Sequence, residues 1–143
     1  MSQIVSDLTH ITRCCGQYRN RLLESLGLTT RQASLLREIC AAPGISQDAL
    51  SRKVFLNKSV VARQLAALEE EGFVERLASQ KDKRVTQLHP TEKTLQMQPQ
   101  LQAIAMECEN FLTKGMTEAE IDALEAVLSR LQTRAALMVE VEG

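Results

Sequence analysis

Residues 76–91, RLASQKDKRVTQLHPT, set Arg76, Lys81, Lys83 and Arg84 around one acid, Asp82. Cations spaced this closely on a short polar stretch suit an array of phosphate oxygens, which a point ammonium or a forked guanidinium can engage. Upstream, RKVFLNKSVVAR (52–63) holds Arg52, Lys53, Lys58 and Arg63 with no acid, whereas residues 118–143 hold six acids against Arg130 and Arg134. The chain as a whole has a formal net charge of -1, so the distribution of charge carries the information and its sum does not. No Gly-rich phosphate loop, nucleophile elbow or His–Cys pair organises a nucleophile, and an enzyme is not expected. The only histidines are His10 and His89, and no ligand spacing for a metal is present; neither metal nor cofactor is expected.

The elements that must position these cations follow from periodicity and caps. Ile4, Leu8, Ile11, Cys15, Tyr18, Leu22 and Leu26 form one stripe of an amphipathic helix, which Gly27 stops. Thr29 and Gln32 predict a capping box opening a second helix, ended by Ala42-Pro43-Gly44. Ser46 caps a short helix through QDALSRKV, and Asn57 caps another that carries Val61, Leu65 and Leu68 inward before Gly72. Two helices joined by a tight turn read as helix-turn-helix. A hairpin is predicted next, with a strand from Phe73 to Ala78, a polar tip at 79–83 and a return strand from Arg84 to Leu88. His89 is expected to finish that strand.

The expected fold is mainly α with a small β-hairpin wing: a winged helix-turn-helix at 29–90, flanked by helices at 1–28 and 91–143, in a single domain spanning 1–143. Thr117 and Glu120 form a second capping box, followed by the stripe Ile121, Leu124, Leu128, Leu131, Ala135 and Met138. The flanking stripes need a partner surface, and Ile4, Leu8, Ile11, Leu124, Leu128 and Leu131 predict a symmetric homodimer. The other arrangement folds them back on their own winged helix.

On this frame, the start of the Asn57-capped helix presents unpaired N–H groups, where Asn57, Lys58 and Ser59 can meet phosphate. Arg63, one turn beyond Ser59, can read guanine, and Val60 and Ala62 can pack on thymine methyls. Lys81, Lys83 and Arg84 can follow the backbone into a minor groove. Asp82, an acid facing phosphate, makes sense as an organiser of the tip, paired with Arg76 or Arg84.

The wing residues Asp82-Lys83-Arg84, followed after five residues by Pro90-Thr91-Glu92-Lys93, resemble the D-x-R-(five residues)-L-T-E-K-G signature of the MarR family of bacterial transcriptional regulators. Pro90 stands where leucine is usual and Thr94 where glycine is usual. NKSVVARQLAALEEEGFVER resembles that family's recognition helix, with Asn57 for aspartate and Val60 and Ala62 for threonines. LTTRQASLLREI is similar to its second helix, with Ala33 for an aromatic residue. The resemblance covers nearly the whole chain. It implies a homodimer on a pseudo-palindromic double-stranded DNA operator, repressing transcription until a small-molecule effector or an oxidant releases it; the lack of a run long and apolar enough to span a membrane and of a basic, then apolar N-terminus separately leads to the expectation of a cytoplasmic protein.

Two other functions stay open. Some members of that family sense peroxide through a first-helix cysteine, and Cys14, off the apolar stripe, is the candidate here; Cys15, Cys40 and Cys108 lie on stripes and suit inert core thiols. Alternatively, the winged helix serves a protein partner without reading DNA, a difference that salt dependence would reveal. No run is apolar enough to span a membrane, and no membrane partner is expected.

Overall fold

The structure, a computed structural model, describes residues 3–142, with side chains described as far as residue 140. It is a mainly helical winged helix with one small sheet. Helix α1 (Ile4–Glu24) ends in a turn where Leu28 N–H reaches Leu23 O at 3.2 Å, and Gly27 supplies the positive φ of 74° that this reversal requires. In α2 (Thr30–Ala41) the expected capping box is present in both directions: Gln32 N–H donates to Thr29 Oγ1 at 3.2 Å and Thr29 N–H donates to Gln32 Oε1 at 3.1 Å.

After Pro43 and Gly44 the chain forms a strand that periodicity does not reveal. β1 (Ile45–Ser46) is two residues long and pairs antiparallel with the wing. Ser46 then caps α3 (Gln47–Val54), accepting from Ala49 N–H at 3.0 Å, and Asn57 caps α4 (Lys58–Glu70), accepting from Val60 N–H at 2.9 Å. The buried face of α4 is Val61, Leu65 and Leu68, as the spacing predicted, and it packs in one core with Leu35, Leu36, Ile39, Leu50 and Leu88.

The wing consists of β2 (Val74–Ala78) and β3 (Thr86–Pro90), and the sheet order is β1-β3-β2. Its boundaries differ from the predicted ones. Phe73 precedes the first strand, and Arg84 and Val85 belong to the tip, because Asp82 binds both their N–H groups: Oδ1 accepts from Arg84 at 3.1 Å and the carbonyl from Val85 at 3.0 Å. The return strand runs on through His89, as expected, where it pairs with Glu75, and extends one residue further to Pro90, paired with Val74. Pro90 lies at the strand end, where a missing N–H interrupts no further ladder.

Helix α5 (Glu92–Leu112) is tied to the wing at its start by two threonines. Thr91 Oγ1 donates to Gly72 O and Thr94 Oγ1 to Phe73 O, each at 2.6 Å, and Thr94 is fully buried. Pro99 lies inside α5, so it does not end the helix. The last helix, α6 (Glu118–Glu142), opens with the expected box, Glu120 N–H to Thr117 Oγ1 at 3.1 Å and Thr117 N–H to Glu120 Oε1 at 2.9 Å. The chain divides into two compact units, Met1–Cys108 and Glu109–Gly143. In the first, the outer stripe Ile4, Leu8 and Ile11 is exposed; in the second, Leu124 and Leu131 are exposed and Leu128 is half-buried.

Candidate nucleic-acid interface

The start of α4 is built around the Asn57 amide. Its Oδ1 accepts from Val60 N–H and also from the Ser59 hydroxyl at 2.8 Å. Two of the three side chains expected to meet phosphate, Asn57 and Ser59, are therefore engaged in organising the cap, and what they leave presented is the helix N-terminus itself. Beyond them, Arg63 is exposed, while Val60 and Ala62 are half-buried at the edge of the same face.

The fold also gathers acids that the local sequence does not show. Lys58 Nζ lies 3.5 Å from Asp48 Oδ1, and Lys53 Nζ lies 2.9 Å from Glu38 Oε2, so two of the four cations of the acid-free stretch have carboxylates brought to them by α3 and α2. The Lys58–Asp48 pair is exposed on both sides and holds weakly in water. Arg52 and Arg63 are exposed and have no ion pair among the described residues.

At the wing tip the sequence offered Asp82 two arginines, and the fold chooses Arg84. Arg84 Nε donates to Asp82 Oδ1 at 3.1 Å and Nη2 to Oδ2 at 3.2 Å, a two-pronged clamp that holds the guanidinium in one orientation. These hydrogen bonds keep the Asp82 carboxyl below its ordinary range. The Arg84 side chain is nevertheless 91% exposed. A charged fork, fixed at its base and open to solvent, is suited to a narrow groove lined with phosphate. Lys81 and Lys83 stand exposed on either side of Asp82.

Arg76 organises the wing differently from the Asp82 pairing. Its Nε and Nη2 donate to Glu69 Oε1 at 3.2 and 3.0 Å, joining β2 to the end of α4 and holding the Glu69 carboxyl low. A residue that sequence inspection missed is Ser79, buried under the tip, whose Oγ accepts from Lys81 N–H at 3.2 Å and Asp82 N–H at 3.4 Å. A Ser opening the predicted polar tip was the available signal. Lys93 adds a further brace, donating to Glu71 O at 2.8 Å with its ammonium 4.2 Å from the centre of the Phe73 ring.

Away from these cations, Tyr18 OH donates to Glu107 Oε1 at 2.8 Å, joining α1 to α5 and raising the Tyr18 phenol. Burial pushes the Cys15 thiol up, and its hydrogen-bonding contact with Cys108 adds to the shift. Cys40 is raised by burial alone. Cys14 is exposed, with Sγ 3.8 Å from His10 Nε2. Between α1, α2 and α5 lies a cavity of about 270 Å³, lined by Arg19, Arg37, Leu36, Gln102 and Met106 among others. Arg19 Nε is buried without a hydrogen-bond partner among the described residues.

The MarR family model matches residues 26–85, the stretch from the end of the α1 turn to the wing tip. A solved structure of MarR is 30% identical, with 94% of this chain and 98% of that one covered at a TM-score of 0.84. A protein of Listeria monocytogenes, described as a MarR family transcriptional regulator and solved in complex with a 26mer DNA, is 28% identical, with 95% and 91% covered and a TM-score of 0.90. Among curated proteins, YybA of Bacillus subtilis (strain 168), an uncharacterized HTH-type transcriptional regulator, is 28% identical over 132 residues, 92% of this chain and 88% of that protein. With the capped helix α4, the clamped wing and these likenesses in agreement, the chain belongs to the MarR family of winged-helix transcriptional regulators.

Proposed function

We propose that this protein is a homodimeric repressor that reads a pseudo-palindromic DNA operator and lets go of it when a small molecule binds. The observation that carries this reading is the Asp82–Arg84 clamp: a guanidinium 91% exposed yet fixed by two hydrogen bonds is a groove probe, and it belongs to the same winged helix as the open N-terminus of α4. In this reading α4 enters a major groove, with the Lys58 ammonium and the first-turn N–H groups that the Asn57 cap leaves open on phosphate and Arg63 on a guanine edge. Lys81, Lys83 and Arg84 enter the flanking minor groove, and the Listeria monocytogenes relative solved in complex with a 26mer DNA supports DNA binding.

The dimer rests on the exposed apolar stripes. Ile4, Leu8 and Ile11 are 55%, 39% and 44% exposed, and Leu124 and Leu131 are 39% and 38% exposed. Regular apolar faces left open in a single chain are the mark of a subunit seam. The effector would occupy the cavity beside Arg19, where a buried donor without a partner favours an anionic group on an apolar body. Such a ligand releases DNA only if it binds the non-reading arrangement more tightly.

Selection from a random duplex pool tests the proposal. It predicts enrichment of an inverted repeat whose half-sites lie roughly one helical turn apart, about 34 Å. Retention of no common sequence would contradict it. A second reading, peroxide sensing, has one observation in its favour, the exposed Cys14 thiol beside His10. Equal operator affinity before and after peroxide treatment would remove that reading.

A further inference from the structure

Phe55 is the only non-glycine with a positive φ among the described residues, at φ 55° and ψ 37°. At its other left-handed positions, Gly27, Gly44, Gly72 and Gly115, the chain uses glycine, which takes that conformation without a Cβ clash. The conformation itself is imposed by the turn that separates α3 from α4. Leu56 N–H donates to Ser51 O at 3.3 Å, the buried Ser51 donates its hydroxyl to Leu56 O at 2.6 Å, and Phe55 N–H closes onto Arg52 O at 3.4 Å.

The neighbours Val54 and Leu56 pack against the core, whereas Phe55 is 57% exposed. The ring stands two residues before the Asn57 cap of α4, in a stretch whose Arg52, Lys53 and Lys58 are all exposed. An aromatic face among cations matches the surface of a DNA strand, where phosphates alternate with the apolar C–H faces of deoxyribose. We infer that Phe55 packs on a deoxyribose of the operator backbone beside the major groove that α4 enters, adding affinity independent of sequence. This inference rests on the DNA-binding reading proposed above.

The test uses the full-length protein with Phe55→Gly and Phe55→Asn, both tolerant of the left-handed turn. Affinity is measured for the selected operator and a scrambled duplex across a salt series, with thermal melting as the fold control. The expected result is cooperative melting close to wild type and a loss on the order of tenfold on both duplexes. The salt slope should be unchanged, because an apolar contact displaces no counterion. Unchanged affinity in a folded variant would overturn the inference, as would a flattened slope, which would mean that cationic contacts had moved. Should either variant fail to fold, the wild-type complex decides by proton NMR. Nuclear Overhauser contacts from the Phe55 ring to deoxyribose protons support the inference, and their absence overturns it. A wild type that binds neither duplex in a salt-steep manner defeats the DNA reading itself, a result separable from failure of the Phe55 variants alone.

Discussion

Asp82 and Arg84 work as one unit: the carboxylate gives the guanidinium its orientation, and the guanidinium carries the charge outward. Asp82→Asn should therefore weaken operator binding even though it removes a negative charge from the surface proposed to face phosphate. On a background of Arg84→Ala the same change should have no further cost, since the two share one function. A double-mutant cycle by binding titration checks both; additive losses would separate the pair. Arg63→Ala should cost about 1–3 kcal/mol, concentrated at one base pair of each half-site. Unaltered sequence preference in that variant would remove Arg63 as a base reader. The exposed cations of the wing tip, the Asn57 cap and the Asp82 pairing with a neighbouring arginine were legible in the sequence because charge and turn chemistry are local. Other partners were not: Arg76 turns to Glu69, and Lys58 and Lys53 meet Asp48 and Glu38, because those acids reach them only once the helices have packed.

The helices themselves are legible where caps announce them. Thr29 with Gln32, Ser46, Asn57, and Thr117 with Glu120 each begin the helix they predict, since a side chain that satisfies an orphan N–H acts within three residues. Strand β1 escaped for the opposite reason, being two residues that owe their extended form to pairing with Leu88 and Gln87, more than forty positions away. The same holds for Thr94, which stands where the family signature has glycine. Its hydroxyl reaches Phe73 O across the wing base, fully buried, and so locks the entry to α5. Thr94→Val keeps the shape and removes the donor, leaving Phe73 O with only the longer bond from Thr91 N–H at 3.2 Å. It should destabilise the protein by about 1–2 kcal/mol in urea unfolding, with an unchanged slope. No loss of stability would mean that this bond is not what secures the junction.

At the scale of the whole molecule, the chain carries little net charge but a basic wing, and a winged-helix core whose flanking helices leave apolar stripes open. Periodicity made those stripes visible, and in the dimer proposed above a second copy covers them. Leu131→Asp places a charge on the α6 stripe and should convert the dimer to monomer in sedimentation equilibrium; a dimer persisting in that variant would exclude this stripe as the seam. In the proposed dimer the two wings and recognition helices pair the half-sites, so the same variant should bind a full operator no better than a half-site. The most direct test of a DNA-reading protein is fluorescence anisotropy of wild type and Arg84→Ala on duplexes from upstream of its own gene and on a scrambled control, with salt varied. The prediction is tight, sequence-selective binding by wild type that falls steeply with salt, and a weaker, shallower salt response in the variant. Binding that is equal on both duplexes and insensitive to salt, or identical in the two proteins, would contradict it.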